Sequence, residues 1–330
     1  MRAFTCPDCR RLVVFESLDC LHSETPLAFD WAAREIIALR DGSPCANREL
    51  IGCNGLAGPT GLCASCALTR TRPRDGDGRD RFAKAELAKR RLVFELLEVG
   101  LPVTGYLERE GGLAFDMLNS EQGNVITGHR DGVITLDLAE ADDAHREKIR
   151  TEMGEPYRTL LGHLRHEIGH YYEPILCPDD SPERWRYRDL FGDERADYQE
   201  AMDRHYQHGA PADWPEHFVS AYATMHPFED WAETFAHYLH IRDALQTSIA
   251  YGVTVTGPNV ATSEQAPLYS YPAAAADGIQ GLLDVWLPMT YALNALNRSM
   301  GEGDIYPFVL APAVIHKLGF THQVTTSTAP

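Results

Sequence analysis

The sequence predicts a protein of helices and strands in two parts, a small cysteine-rich N-terminal region and a larger, mainly helical one. Seven of the eight cysteines lie within the first 66 residues. Three stretches predicted as helices follow them, at 155–172, 226–240 and 282–300. Residues 69–81 are polar and lack apolar periodicity, which predicts an exposed linker. We therefore expect domains at 1–68 and 82–330.

Composition and charge limit the classes of function. Hydrophobic residues make up 44% and charged residues 24% of the 330 residues, as in globular proteins. The formal net charge of −18 repels phosphate backbones, so nucleic acid is not an expected partner. No apolar run reaches the length of a membrane span, about 18 residues, and the first residues lack an apolar signal segment. We expect a cytoplasmic protein without membrane contact.

The first cysteines predict an incomplete zinc site. Cys6 and Cys9 form a Cys-x-x-Cys turn that lets two thiolates reach one ion, and the β-prone residues 11–15 follow it. A second turn begins at Cys20, but Ser23 stands where the fourth cysteine is expected. His22 is the nearest substitute ligand. The alternative is a weakened or empty site.

A second cysteine set predicts a closed structural zinc site. Cys45, Cys53, Cys63 and Cys66 supply four thiolates, which complete a tetrahedral shell. A redox role for the last pair would need a thioredoxin-like setting, of which the sequence has no sign. Between the two sets, residues 29–39 have helical spacing of apolar residues and are predicted as a helix.

A metal motif lies on the predicted helix 155–172, which has Pro156 near its start. His166 and His170 are one helical turn apart in a His-Glu-x-x-His pattern, so both imidazoles can bind one zinc ion. Glu167 lies beside the first ligand and can move a proton from a bound water to a leaving amine. The alternative is a surface helix with two solvated histidines.

The segment 226–240 is the expected source of a third ligand. Glu229, Glu233, His237 and His240 share one helical face, and such a polar stripe is costly to bury unless it is paired or metal-bound. We choose Glu233, which is flanked by aromatic residues, and keep Glu229 as the alternative.

The chain resembles the bacterial zinc-ribbon metallopeptidases, whose catalytic part is of the gluzincin type. The matching strings are TGHRDGVITLDLAEADD (127–143), EPYRTLLGHLRHEIGHYY (155–172), FGDERADY (191–198), SAYATMHPFEDWAETFAHYLH (220–240) and YALNALNRSMG (291–301). The cysteine pattern at 45, 53, 63 and 66 matches as well.

The resemblance implies an α+β fold, with a zinc-ribbon module before a mainly helical, thermolysin-like domain that has a small β-sheet. It also implies Glu233 as third ligand, because Ala-Glu-Thr-Phe-Ala resembles the Asn-Glu-x-Phe-Ala string of gluzincins. Ala232 and Ser23 depart from the family pattern. Residues 132–138 are predicted as a strand. In gluzincins the edge strand binds extended substrate, whereas an interior strand would make no such contact.

The predicted function is hydrolysis of peptide bonds in a peptide or protein substrate. One catalytic and one or two structural zinc ions are expected, with Glu167 as general base. Tyr222, His226 and Tyr238 are candidate donors to the oxyanion. The alternative is a zinc-ribbon module that binds protein or nucleic acid and carries an occluded or inactive peptidase domain. Under either interpretation, the zinc ribbon is a candidate surface for a protein partner.

Overall fold

The computed structural model describes residues 1–40, 42–73, 78–120, 125–152, 157–256 and 278–327. These residues form helices and small sheets, so the α+β prediction is confirmed. The chain divides into two compact units. The first comprises Met1–Glu98, Pro102–Gly154 and Arg158–Leu164, and the second comprises Val99–Leu101, Glu155–Tyr157 and Arg165–Pro330.

The first unit begins with two small antiparallel hairpins. Strands β1 (Phe4–Thr5) and β2 (Leu12–Val13) form the first, at the β-prone segment that follows Cys9. Strands β3 (Leu27–Asp30) and β4 (Glu35–Ala38) form the second. The short helices α1 (Arg48–Ile51) and α2 (Ala64–Ala67) follow.

The second hairpin shows that the predicted helix at 29–39 is wrong. The side chain of Asp30 accepts hydrogen bonds from the backbone N–H groups of Ala32 and Ala33, at 2.9 and 3.2 Å. Arg34 then adopts a φ of 56°, which no helix contains. The apolar residues on either side of this turn pair across two strands instead of lying on one helical face.

A four-stranded sheet with the order β5-β6-β8-β7 completes the strands of the first unit. Its members are β5 (Thr69–Thr71), β6 (Ala114–Leu118), β7 (Gly128–Arg130) and β8 (Val133–Asp137). Strand β8 confirms the strand predicted at 132–138, but it lies between β6 and β7. The expectation of an edge strand here is therefore wrong, because both of its edges are already hydrogen-bonded.

Part of the segment predicted as a linker is ordered secondary structure. Strand β5 pairs in parallel with β6, and helix α3 (Arg79–Val99) begins before residue 81. Helix α4 (Asp143–Glu152) lies wholly within the first unit. The aromatic rings of Phe4, Phe15, Phe29 and Phe94 pack together with centroid separations of 4.8–6.3 Å and form the apolar centre of this unit.

Helix α5 (Leu160–Leu176) carries the metal motif and continues from the first unit into the second. It begins later than predicted, because Tyr157 to Thr159 are not helical, and Pro156 lies outside the described residues. The hydroxyl of Thr159 caps the helix by accepting from the backbone N–H of Gly162, at 3.0 Å.

The remaining helices belong to the second unit. They are α6 (Pro182–Phe191), α7 (Tyr198–His208), α8 (Pro227–Ala250), α9 (Gly278–Ser299) and α10 (Pro312–Ser327). Helix α8 confirms the helix predicted at 226–240, and α9 confirms the helix predicted at 282–300. No helix within the described part of the chain is long and apolar enough to cross a membrane.

Helices α5 and α8 approach closely at Gly169. A Cβ atom placed on Gly169 would lie 3.0 Å from the Cα of Ala232. The indole Nε1 of Trp231 donates to the carbonyl of Gly169 at 2.8 Å, and the ring is fully buried. This contact holds the histidine face of α5 against the acidic face of α8.

Candidate active site and metal centres

The two histidines of α5 present the same ring nitrogen to one point. The Nε2 atoms of His166 and His170 lie 3.2 Å apart, and both residues are buried. The imidazole of His170 stacks on Phe228 at a centroid separation of 4.1 Å, which restricts its rotation. The two side chains lie on the same side of α5 because they are one helical turn apart, as the sequence predicted.

Glu229 is the carboxylate that joins the two histidines. Its Oε2 lies 3.0 Å from Nε2 of His166 and 3.5 Å from Nε2 of His170. Ligand atoms at about 2.05 Å from a tetrahedral zinc ion are separated by about 3.3 Å. The three separations agree with that value, and Glu229 is buried beside both imidazoles. These three residues therefore fit a zinc ion with an open fourth position.

Glu233 takes a different place from the one expected of the third ligand. Its Oε1 lies 2.7 Å from Nδ1 of His166, on the side of the ring away from Nε2. Its Oε2 accepts from the hydroxyl of Ser220 at 2.6 Å. A carboxylate in this position fixes the tautomer and orientation of a metal-binding histidine. Glu229 takes the ligand position expected for Glu233 because the two carboxylates reach different nitrogens of the same imidazole.

The pKa shifts follow from this arrangement. Burial opposes the charged form, but the hydrogen bonds and charges of Glu229 and Glu233 raise the pKa of His166 well above its ordinary value. Burial likewise opposes ionisation of Glu233, but its hydrogen bond to His166 lowers its pKa to about 2.

Two tyrosines line the same site. The hydroxyl of Tyr198, the first residue of α7, donates to Oε1 of Glu229 at 2.9 Å. Tyr222 lies beside Tyr198, and its ring centroid lies 6.0 Å from that of His166. Burial and the charge of Glu229 raise the pKa of both phenols, so both remain protonated donors at neutral pH.

Two other predicted donors are occupied elsewhere. Nδ1 of His226 accepts from the backbone N–H of Phe228 at 3.1 Å and so caps α8, while Nε2 donates to the carbonyl of Ala196 at 3.0 Å. The hydroxyl of Tyr238 is fully buried between His322 and Arg242. Both side chains are buried, so a substrate cannot reach either of them.

Four cysteine sulfurs of the first unit converge as the sequence predicted. Cys45, Cys53, Cys63 and Cys66 are all buried, and their sulfur atoms lie within 4.8 Å of one another. The sulfur of Cys53 is 3.6 Å from those of Cys63 and Cys66. Zinc–sulfur bonds of about 2.3 Å require a separation of about 3.8 Å in a tetrahedron. The set fits one zinc ion with no open position.

Three further sulfurs converge near the N-terminus. Cys6, Cys9 and Cys20 form the group, with 3.5 Å between the sulfurs of Cys9 and Cys20. His22 is exposed and is not a member of the group. The hydroxyl oxygen of Ser23 lies 3.4 Å from the sulfur of Cys6 instead. The alternative ligand chosen from the sequence is therefore not brought to this site.

Comparison with known proteins gives a family match for each of the two parts of the chain. Residues 78–324 match the family described as "Putative zinc-binding metallo-peptidase", and residues 3–77 match a zinc-ribbon domain. Three relatives are "Uncharacterized protein Rv2568c" and "Uncharacterized protein MT2644" of Mycobacterium tuberculosis and "Uncharacterized protein Mb2598c" of Mycobacterium bovis. Each is 49% identical over 339 residues, covering 100% of this chain and 97% of the relative.

No solved structure matches the chain. The family match covers most of the sequence, including the histidines of α5 and the carboxylates of α8. The chain therefore belongs to this zinc-binding metallopeptidase family and carries an N-terminal zinc-ribbon domain.

Proposed function

We propose that the chain is a zinc-dependent peptidase whose zinc is held by His166, His170 and Glu229. The observation that supports this most is the convergence of three buried ligand atoms at separations of 3.0–3.5 Å. Zinc bound there supplies a Lewis acid that polarises a peptide carbonyl and acidifies a water molecule. Glu233, itself held by Ser220, keeps Nε2 of His166 directed at the ligand set.

Glu167 is the proposed general base. It follows His166 on α5, is buried, and its charge contributes to the raised pKa of the Tyr198 hydroxyl. A carboxylate in this position takes a proton from the attacking water and delivers it to the leaving amine. The low exposure of Glu167 keeps bulk water away from the transferred proton.

Tyr198 is the proposed oxyanion donor, a residue that the sequence analysis did not identify. Its hydroxyl donates to Oε1 of Glu229 in this structure, and it would exchange that bond for one to the oxyanion when substrate binds. The residue is 41% exposed, so a substrate can reach it. Tyr222 is less exposed and lies beside Tyr198, so we assign it a positioning role. His226 supports the same arrangement through the carbonyl of Ala196, two residues before Tyr198.

The experiment is cleavage of a fluorogenic peptide library by the zinc-loaded protein, with and without chelator. Glu167→Gln should retain all bound zinc and lose about 10²–10⁴-fold in turnover, the usual range for a general base. Glu302→Gln, at an exposed residue outside the site, is the matched control and should cleave like the wild type. Undiminished cleavage by Glu167→Gln contradicts the assignment. A fully zinc-loaded protein that cleaves no peptide favours a binding module with an inactive peptidase domain.

A further inference from the structure

The two metal-binding turns of the N-terminal hairpin region have the same backbone geometry. The N–H of Arg10 donates to the carbonyl of Cys6 at 2.9 Å, and the N–H of Glu24 donates to that of Cys20 at 2.8 Å. Arg10 and Glu24 both adopt a left-handed conformation, with φ values of 61° and 56°. In each turn, therefore, the fifth residue is left-handed and its N–H donates to the carbonyl of the first cysteine.

The hydrogen bonds to sulfur repeat as well. The sulfur of Cys6 accepts from the backbone N–H groups of Asp8 and Cys9. The sulfur of Cys20 accepts from those of His22 and Ser23. Ser23 is thus the structural equivalent of Cys9, and its side chain occupies the fourth ligand position of the site. The 3.4 Å between its oxygen and the sulfur of Cys6 resembles the 3.5 Å between the sulfurs of Cys9 and Cys20.

The neighbours of Ser23 hold its side chain in place. The hydroxyl of Thr25 donates to Oδ2 of Asp8 at 2.7 Å, so its oxygen is left to accept from Ser23, 2.9 Å away. Asp8 is in turn paired with Arg40. The oxygen of Ser23, 3.4 Å from the sulfur of Cys6, carries a lone pair that can bind a metal ion held by the three cysteines.

We propose that the first ribbon site binds zinc through Cys6, Cys9 and Cys20 together with the oxygen of Ser23. An alcohol oxygen is a weaker zinc ligand than a thiolate, so this position exchanges readily. The site therefore releases its metal faster than the closed set of four cysteines in the same unit. It is a labile zinc site beside a permanent one, and it is independent of the peptidase centre.

The test is the rate of zinc transfer from the full-length protein to a chromogenic chelator. Ser23→Cys completes a four-thiolate shell and should slow release from the first site by about 10- to 100-fold. Ser23→Ala keeps the three thiolates and should release faster than the wild type. Cys9→Ser should abolish the faster kinetic phase of zinc release, which assigns that phase to the first site.

Absorption of the cobalt-substituted protein supplies a second readout, because thiolate-to-cobalt charge transfer grows with the number of sulfur ligands. Ser23→Cys should increase this absorption per chain, whereas Ser23→Ala and His22→Ala should leave it unchanged. The proposal is overturned if Ser23→Ala releases zinc at the wild-type rate. It is equally overturned if His22→Ala accelerates release as Ser23→Ala is expected to do.

Discussion

Gly169 and Ala232 lie so close that the missing side chain of the glycine determines how near α5 and α8 approach. An added Cβ would be 3.0 Å from the Cα and 3.3 Å from the carbonyl oxygen of Ala232. These backbone atoms cannot move aside as a flexible side chain would. Because His170 follows directly in the chain and Glu229 is one turn before Ala232, the same contact sets the separations within the proposed zinc site.

Gly169→Ala should weaken both the fold and the metal site. We expect a loss of about 1–3 kcal/mol in the free energy of unfolding, the range for overpacking in a dense core. Zinc affinity at the site should fall with it. Gly319→Ala, in helix α10, is the control, because its Cβ would meet only a flexible methyl group of Ile279 in α9, at 3.2 Å. Equal stability and zinc content in both variants would contradict the role of this contact.

Glu229 and Glu233 should behave differently when each is replaced by glutamine. Glu229→Gln removes a charged ligand and should lower the zinc content by one ion per chain after dialysis. Glu233→Gln leaves the three ligand atoms in place and should retain zinc with an affinity about 10- to 100-fold lower. Metal analysis of both variants at matched free zinc decides between them. The opposite order would restore Glu233 as the third ligand.

Tyr198→Phe should reduce turnover without removing zinc. Loss of one oxyanion donor typically costs about 10²–10³-fold in kcat, whereas KM should change little, because the hydroxyl acts in the transition state. Tyr206→Phe, at an exposed residue of the same helix, is the control. If Tyr198→Phe lowered zinc affinity and left kcat per bound zinc unchanged, Tyr198 would serve only to orient Glu229.

Glu140 provides a pH-dependent contribution to stability in the first unit. Burial opposes its ionisation, but the charge and hydrogen bond of His163, 2.5 Å away, lower its pKa to about 2 from an ordinary 4.5. The folded pKa is depressed, so this contribution is complete above about pH 4.5 and disappears as the pH falls towards 2.

Glu140→Gln should therefore destabilise the protein at pH 7, and the difference from the wild type should shrink below pH 4.5. Denaturant unfolding at several pH values measures it. Glu147→Gln removes an exposed pair with Arg150 and should have little effect at any pH. A difference for Glu140→Gln that stays constant between pH 7 and pH 3 would contradict this account.

The sequence predicted those features whose spacing matches a helical turn or a zinc turn. The pair His166 and His170 and the four cysteines of the closed set were located in this way. It chose Glu233 over Glu229 as the third ligand. Both carboxylates lie on one face of α8, and spacing alone does not show which nitrogen of the imidazole each one reaches. Tyr198 escaped notice because a tyrosine at a helix start carries no periodic signal, although it lies in the FGDERADY string.

The helix predicted at 29–39 failed for a related reason. Its apolar spacing suits a helix, but the hydrogen bonds of the Asp30 side chain and the left-handed Arg34 close a turn within it. Such local polar contacts compete with helix formation and are not visible in an apolar pattern. Ser23 was recognised as a departure, but only the equivalent geometry of the two turns shows which position it fills.

Anomalous X-ray scattering at the zinc edge, from crystals of the zinc-loaded protein, tests the central claim most directly. The account predicts a peak about 2.0–2.2 Å from Nε2 of His166, Nε2 of His170 and an oxygen of Glu229, with Glu233 still bonded to Nδ1 of His166. A zinc-loaded crystal without a peak between α5 and α8, or with one bound by Glu233 in place of Glu229, would contradict it.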